Sequence, residues 1–177
     1  MHGADYDGPS KLADTKNELQ MIDIPKESVL DRQRLRTLGV PEPWALGLAD
    51  RVRFGELDVL AHVNNTAYLR WFENFRIAYF KEYCIADYEG EIPRIVLRQI
   101  GVDFLTEIGL GERYIVTGRT SSLRRSSFRM EYGVWAADGL RATGWAVLVM
   151  LDQNGQKQPL AASIRKALIE RDKAEEV

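Results

Sequence analysis

The sequence contains one cysteine, Cys84, and only two histidines. A single cysteine cannot form a disulfide within the chain, and this supply of ligands leaves little from which to build a structural zinc site. No stretch reaches the roughly 18 uninterrupted apolar residues that a membrane-spanning helix needs. The N-terminus lacks a basic start followed by an apolar run, so no signal peptide is expected. These absences predict a soluble cytoplasmic protein that uses no metal and no other cofactor.

The charge is nearly balanced, because the chain has 24 lysines and arginines and 26 aspartates and glutamates, for a net charge of −2. This balance gives no bulk attraction to nucleic acids or to anionic membranes, although it is compatible with a local basic patch for a phosphorylated ligand. A length of 177 residues with 45% hydrophobic content suffices for one domain with a sizeable core. We therefore expect a globular protein that binds neither nucleic acid nor membrane.

The first 50 residues are predicted to form an N-terminal arm that includes one short helix. Residues 1–20 are polar and interrupted by glycine and proline, which is typical of a loose segment. Residues 27–38 place three leucines on one side of a helix, which a glycine and two prolines in residues 39–43 would end. The main domain is therefore expected to span residues 51–177.

The strongest periodic signal in the chain is helical. Apolar residues recur at spacings of three and four, at Tyr68, Trp71, Phe72, Phe75, Ala78, Tyr79 and Tyr83. Asn64 or Asn65 would cap this helix at its N-terminus. Further bulky residues on other faces, including Ile77 and Phe80, predict that the helix is buried rather than lying on the surface.

Strand-like patterns precede and follow this helix. A short strand is expected at residues 51–57, and four long strands are expected at residues 95–108, 113–122, 127–137 and 140–151. Asp138-Gly139 is typical of a hairpin turn between the last two strands, and residues 160–172 are expected to form a short amphipathic helix. A strand, a long helix and four successive strands predict an α+β fold in which an antiparallel sheet packs on one helix.

The chemically informative segment joins the short strand to the long helix. It places Asp58 at the end of the strand, followed by a loop and the first turn of a buried helix. The first N–H groups of a helix have no internal partner and carry partial positive charge, so they can hold a carbonyl oxygen on which negative charge develops. A nearby carboxylate can attack the carbonyl carbon or activate a water. An acid beside an oxyanion site is the minimum arrangement for hydrolysing an activated acyl ester.

The residues of this segment closely resemble the signature of the 4-hydroxybenzoyl-CoA thioesterase-like family of hot-dog proteins. The matching residues are Asp58, His62-Val63-Asn64-Asn65, Tyr68-Leu69, Phe72-Glu73 and Arg76, and a weaker match is Arg125-Ser126-Ser127-Phe128. The resemblance is most specific between residues 51 and 77 and extends to about residue 152. Two departures are Ala61, where the family usually has glycine, and Phe75, where it often has alanine.

The resemblance implies a hot-dog fold, in which a curved antiparallel sheet wraps a long central helix. It also implies homodimers with active sites at the subunit interface and, in many members, dimers of dimers. The family's usual activity is hydrolysis of acyl-CoA to a free acid and CoA without a metal. By this resemblance Asp58 is the nucleophile or the general base, and the backbone N–H of Asn65 polarises the thioester carbonyl.

Several neighbouring residues have a structural interpretation beside the functional one. His62 is either a catalytic base or a residue that orders the loop by hydrogen bonding. Asn64 is expected to act through its side chain as a cap and to present backbone to the substrate. Tyr68 is either a core residue or a contact for the substrate.

A second group of candidates lies farther along the chain. Glu73 is either the partner of Arg76 in an ion pair on the helix or a substrate-binding or catalytic acid, since a related hot-dog branch places its acid on this helix. Arg124, Arg125 and Ser126 either bind the phosphates of CoA or form a solvated strand edge.

Two other functions remain open from the sequence. An acyl-carrier-protein thioesterase would use the same chemistry on a protein-borne acyl chain. A non-catalytic acyl-binding module would keep the fold without the activity, although the presence of Asp58 argues against it. The sequence leaves open the length of the acyl group and whether it is aromatic or aliphatic.

Overall fold

The computed structural model describes residues 28–86, 88 and 94–177, so the loose arm predicted for residues 1–20 lies outside the described residues. The elements in chain order are β1 (Ser28–Asp31), α1 (Arg32–Thr37), β2 (Leu46–Arg51), a 3₁₀ turn (Phe54–Glu56), α2 (Asn65–Glu82), β3 (Arg94–Phe104), β4 (Arg113–Leu123), β5 (Ser127–Ala136), β6 (Gly139–Leu151), α3 (Ala162–Asp172) and β7 (Glu175–Glu176). None of the helices in the described part of the chain is both long and apolar enough to cross a membrane.

One sheet organises the molecule. Its strands lie in the order β1-β2-β4-β5-β6-β3, and each is antiparallel to its neighbours. The two-residue strand β7 pairs in parallel with the end of β4. The turn between β5 and β6 occupies residues 137–138, within one residue of the predicted Asp138-Gly139 position. The antiparallel sheet with a single long helix confirms the predicted α+β fold.

Aromatic side chains hold α2 against one face of the sheet. Phe72 stacks on Tyr132 with ring centroids 4.4 Å apart, and Trp71 stacks on Tyr114 at 3.8 Å. Phe75, one helical turn farther along, is fully buried. Each such ring contributes about 1.5–3 kcal/mol through burial. The aromatic spacing that predicts the helix in the sequence is therefore the same spacing that fixes the helix to the sheet.

Two glycines allow this helix to lie close to the strands. A Cβ added at Gly118 in β4 would lie 2.4 Å from the ring of Phe75, and one at Gly144 in β6 would lie 2.5 Å from the ring of Phe72. Both distances are shorter than a carbon–carbon contact allows. Glycine at these two positions therefore sets the depth of α2 and, with it, the position of its N-terminus.

A smaller apolar cluster covers the opposite face of the sheet. Leu35 of α1 packs there with Leu30 and Ile115, and Trp44 and Trp135 lie against the group. Strands β1 and β2 pair with each other, and β2 pairs with β4. The segment from residue 28 to residue 50, predicted as part of an arm, thus contributes two strands and a helix to the described fold.

The largest errors of the sequence prediction lie in this segment. The helix predicted at residues 27–38 covers only Arg32–Thr37, because Ser28–Asp31 form a strand and the Asp31 side chain caps the helix by accepting from the Arg34 N–H at 2.8 Å. The strand predicted at residues 51–57 is also wrong. The strand ends at Arg51, and the apolar alternation beyond it is misleading, since Phe54 is 81% exposed in a 3₁₀ turn.

The remaining elements agree closely with prediction. The four long strands and the terminal helix start and end within a few residues of their predicted positions. Helix α2 buries Phe80, as expected for a helix covered on several sides, but leaves Ile77 exposed. Ile77 faces a groove between α2 and the strands β1, β2 and β4 rather than the main core.

Candidate active site

Asp58 lies in a tight turn between the 3₁₀ turn and α2. The turn is closed by an antiparallel bridge between Leu57 and Val63. Its backbone is tied by hydrogen bonds from the Asp58 N–H to the His62 carbonyl at 2.8 Å and from the Ala61 N–H to the Asp58 carbonyl at 3.1 Å. The carboxylate takes part as well, because its Oδ1 accepts from the N–H groups of Leu60 at 2.8 Å and of His62 at 3.3 Å. The turn therefore fixes the orientation of the acid.

Ala61 adopts a left-handed backbone conformation in this turn, with φ of 63°. Glycine reaches that region without steric cost, whereas a Cβ disfavours it. This explains why glycine is usual at this position in the family that the chain resembles. The turn nevertheless closes with alanine present.

The N-terminus of α2 lies directly after this turn. Asn64 caps the helix, since its Oδ1 accepts from the N–H and the hydroxyl of Thr66 at 2.9 and 2.8 Å. The Asn64 N–H donates to the carbonyl of Glu56 at 2.8 Å. Among the hydrogen bonds found within the described residues, none uses the Asn65 N–H as donor. That group is thus available to a ligand at the positive end of the helix dipole.

The acid and the helix start line one open pocket of about 460 Å³. One side is formed by the turn and α2, through Asp58, His62, Val63, Asn64, Asn65 and Tyr68, and the other by the end of β3 and the loop after it, through Phe104, Leu105, Thr106 and Glu107. Tyr68 and Phe104 meet edge to face with centroids 5.0 Å apart. Burial raises the pKa of the Tyr68 phenol, so this ring is a neutral wall of the pocket. A carboxylate, a free N–H and apolar walls converge in this pocket.

His62 connects the two sides of this pocket. Its Nε2 lies 2.9 Å from Oε2 of Glu107, and its backbone bridges to Gly109. The neighbouring Val63 N–H donates to the carbonyl of Ile108 at 2.9 Å. The imidazole thus pairs with Glu107, while His62 contacts Asp58 through its backbone N–H and carbonyl. This arrangement favours a loop-ordering role for His62.

A metal-binding cluster is not found at this site. Within the described residues, no group of three or more His, Cys, Asp or Glu side chains is arranged to hold a metal ion.

Comparison with known proteins adds to this geometry. A profile of the thioesterase-like superfamily matches residues 52–170, which is more than half of the chain. The chain belongs to the thioesterase-like superfamily. Hydrolysis of thioesters is therefore the class of reaction that this chain catalyses, and the family assignment made from the residues around Asp58 is confirmed.

Solved structures of thioesterases have the same fold. A thioesterase superfamily protein from Jannaschia sp. CCS1 is 42% identical, with a TM-score of 0.81 over 85% of this chain and 98% of that one. A thioesterase from Thermus thermophilus, complexed with coenzyme A and Zn, is 37% identical, with a TM-score of 0.66 over 75% of this chain and 98% of that one. Among curated proteins, the uncharacterized protein YsmA from Bacillus subtilis is 29% identical over 107 residues, which are 60% of this chain and 72% of that protein. The predicted hot-dog fold is thus confirmed.

Glu73 stands apart from the pocket of this thioesterase fold. It is exposed on α2 and does not line the pocket. The ion pair predicted between Glu73 and Arg76 is not found among the described residues, because Arg76 is buried and its Nη1 donates to the Tyr132 hydroxyl at 3.4 Å. Spacing on the helix puts the two residues on neighbouring positions, but packing turns the arginine inward.

Arg124, Arg125 and Ser126 lie at the other end of the sheet from Asp58 in the same chain. Their turn is held beside α3, where the Leu160 N–H donates to the Arg125 carbonyl at 2.9 Å and Arg165 donates to the Arg124 carbonyl at 2.8 Å. The turn with Asp58 packs at the opposite end of β4, so about 30 Å of strand separates them. A single chain of this fold does not bring these residues together.

Glu107 and Glu56 are the residues of this site that the sequence reasoning missed. Glu107 reaches the pocket from the loop after β3, and no local pattern relates that loop to the turn. Glu56 could have been noticed as an acid only two positions before Asp58, in a segment otherwise expected to be a strand.

Proposed function

We propose that the protein is an acyl-CoA thioesterase that hydrolyses an acyl-CoA to the free carboxylic acid and CoA. The observation that carries this proposal is the presence of a fixed carboxylate, Asp58, and an unpartnered helix N–H, that of Asn65, in one pocket of a thioesterase fold. The coenzyme A found with the Thermus thermophilus relative supports CoA as the carrier.

In this proposal the thioester carbonyl oxygen accepts a hydrogen bond from the Asn65 N–H. Negative charge that develops on the oxygen during attack is then stabilised by a donor that is already in place and by the helix dipole. Loss of one donor of this kind typically costs about 10²–10³ in kcat. The acyl group would lie against the apolar pocket walls at Val63, Tyr68, Phe104 and Leu105.

Asp58 drives the reaction by one of two routes. As nucleophile, its free oxygen bonds to the carbonyl carbon, the C–S bond breaks, and the CoA thiolate leaves and takes a proton from solvent. Water then hydrolyses the acyl–aspartyl anhydride and restores the carboxylate. As general base, Asp58 removes a proton from a water whose oxygen bonds to the carbonyl carbon, and that proton passes to the departing thiolate.

The phosphates of CoA would be bound by a second subunit. Strand β3 is an edge of the sheet, and antiparallel pairing of two β3 edges would set the Arg94 end of one strand beside the Phe104 end of the other. The Arg124–Ser126 turn is level with the Arg94 end, because Ser127 pairs with Val149 and Val149 with Val96. Such a dimer would bring the turn of the partner subunit to the end of the sheet where Asp58 lies.

Thiol release from a panel of substrates tests the proposal. Acyl-CoA thioesters of short, long and aromatic acyl groups are compared with the same groups on acyl-carrier protein, each with and without EDTA. We expect turnover on at least one acyl-CoA, with kcat/KM above that on the matching acyl-carrier protein and unchanged by EDTA. Preference for the carrier protein would select the acyl-carrier-protein thioesterase instead, and saturable binding without turnover would indicate an acyl-binding module.

A further inference from the structure

Glu56 is a buried acid two residues before Asp58. It is 7% exposed, and both of its carboxylate oxygens are occupied by N–H donors. Oε1 accepts from the indole Nε1 of Trp71 at 2.8 Å, and Oε2 accepts from the backbone N–H of Arg53 at 2.7 Å. A buried carboxylate is tolerated only when such donors replace water. Glu56 therefore belongs to a specific arrangement and not to the solvated surface.

The backbone of Glu56 ties the same residue to the start of the helix. Its carbonyl accepts from the N–H of Asn64, the N-cap residue, at 2.8 Å. The Asp58 turn begins directly after Glu56 and ends directly before Asn64. Glu56 thus joins three parts of the site, which are the entry to the turn, its exit at the helix N-cap, and the second turn of α2 at Trp71.

Trp71 provides a rigid attachment point for this connection. Its ring is 1% exposed, stacks on Tyr114 at 3.8 Å and contacts Tyr68, a wall of the pocket, at 4.9 Å. The aromatic core therefore holds the indole N–H at one place. Because Glu56 accepts from that N–H, the core fixes the position of the Asp58 turn relative to the helix N-terminus.

We infer that Glu56 is a positioning residue that sets the distance between the Asp58 carboxylate and the Asn65 N–H through its bonds to Trp71 and Asn64. The inference rests on the proposed function, in which these two groups act on the same thioester carbonyl. Attack and charge stabilisation depend steeply on geometry, and a displacement of about 1 Å can cost about 10²-fold in rate. A residue outside the pocket can therefore control kcat.

The test uses E56Q, which keeps the size of the side chain. A carboxylate accepts on both oxygens, whereas a glutamine presents an NH₂ group that must face one of the two N–H donors. We expect kcat to fall about 10- to 100-fold with KM for the best acyl-CoA changed by less than about twofold. W71F removes one donor but leaves the Glu56 side chain unchanged and a buried ring in place, so we expect a smaller fall in kcat in the same direction.

Two variants on the opposite face of the sheet serve as matched controls. E131Q breaks an ion pair with Arg119 at 3.0 Å, and W145F removes an indole that stacks under Arg129. Both should keep kcat within about twofold of the original protein when all variants are assayed well below their unfolding temperatures. If E56Q and W71F lower only the unfolding temperature and keep kcat, Glu56 has a purely structural role and the inference is wrong.

Amide NMR spectra separate this inference from the proposed reaction. In E56Q the N–H resonances of residues 57–65 should shift, and those of Asn64 and Asn65 should be among the largest changes, whether or not a thioester is turned over. Shifts confined to Arg53 and Trp71 would contradict a positioning role. A wild-type protein that is inactive on every thioester, with these shifts present, would overturn the proposed function and leave the coupling of Glu56 to the turn.

Discussion

At the scale of single residues, the turn that carries Asp58 contains an alanine in a conformation that suits glycine. Ala61 has φ of 63°, and the left-handed region costs an L-residue about 1–2 kcal/mol. Glycine recovers that energy but loses about 0.4–1 kcal/mol through the greater freedom of the unfolded chain. A61G should therefore raise the free energy of unfolding by about 0.5–1 kcal/mol and keep kcat within about twofold.

Denaturant unfolding of A61G beside A167G checks this prediction. Ala167 lies inside helix α3, where glycine should cost about 1 kcal/mol. Opposite signs for the two substitutions are expected. A loss of stability in A61G as large as that in A167G would mean that the turn does not require a left-handed residue.

The sequence predicts individual site residues only where they are close to one another in the chain. Asp58 and the Asn64 cap are both identified from residues next to the start of the helix. The cap is found as predicted, whereas Asp58 lies in a turn after a 3₁₀ turn and not at the end of a strand. Glu107 cannot be predicted this way, because it reaches His62 through the packing of a loop 45 positions later. Glu56 depends on a bond to Trp71 across 15 positions.

At the scale of elements, helix α3 is attached to α2 and β4 by one buried acid. Asp172 accepts from the Tyr79 hydroxyl at 2.5 Å, from the Thr120 N–H at 2.6 Å and from the Tyr83 hydroxyl. Removing the carboxylate leaves the Thr120 N–H and the Tyr83 hydroxyl without this acceptor, at about 1–3 kcal/mol each, while the Tyr79 hydroxyl keeps Thr120 Oγ1 at 2.9 Å. D172A should therefore lower the free energy of unfolding by several kcal/mol, about 3 or more, while D172N, which keeps one acceptor oxygen, should lose much less.

The pH dependence of this attachment has a definite sign. Burial raises the pKa of Asp172 above its ordinary value of 3.8, although the Tyr79 and Tyr83 hydroxyls oppose the shift. The folded state therefore holds the proton more tightly than the unfolded state, so stability from this group is fully present below about pH 4 and declines as pH rises through the raised pKa. Asparagine does not titrate in this range. The stability of D172N relative to the original protein should improve from pH 4 upward, and a constant difference across pH 4–8 would contradict this account.

Elements could be predicted where their hydrophobic period is long and regular. Strands β4, β5 and β6 alternate over ten or more residues, and α2 repeats its aromatic spacing over 18. Strands β1 and β2 are only four and six residues long. In β2, the positions packed against Leu35 hold the small residues Gly47 and Ala49 rather than large apolar ones. A pattern this short contains too few repeats to distinguish a strand from the end of a helix.

At the scale of the whole molecule, the predicted dimer has a specific functional consequence. If β3 edges pair as proposed, each active site combines Asp58 of one subunit with Arg124 and Arg125 of the partner subunit. A D58N subunit and an R124A/R125A subunit would each be defective alone. A heterodimer of the two would contain one site with all of its groups intact.

The activity of mixed subunits and the sedimentation coefficient of the active species both test this arrangement. Refolding or co-expressing the two variants in equal amounts should restore about one quarter of the original activity, since about half of the dimers are mixed and each has one intact site of two. No recovery above the sum of the separate variants, or a fully active species that sediments as a 20.2 kDa monomer, would refute a shared site.

The sequence indicated the class of fold and the position of the acid shortly before the long helix, because both follow from the order of elements and from residues near Asp58. It did not indicate that the Arg124–Ser126 turn lies at the far end of the same subunit. That separation follows from the length of β4 and from antiparallel pairing across the whole sheet, which no local pattern specifies.

The central claim is that the Asp58 carboxylate performs the chemistry, and D58N measured against D152N tests it most directly. Asp152 also accepts, through Oδ1, from the N–H groups two and four residues later, at 2.9 and 2.7 Å, in a turn at the opposite end of the same subunit that supplies no group to the proposed site. Both substitutions thus keep an amide oxygen that can accept in the same kind of turn contact, and both remove the carboxylate charge. We predict that D58N loses at least about 10² in kcat on the best acyl-CoA while remaining folded, and that D152N stays within about twofold. Near-original turnover by purified D58N would contradict the account.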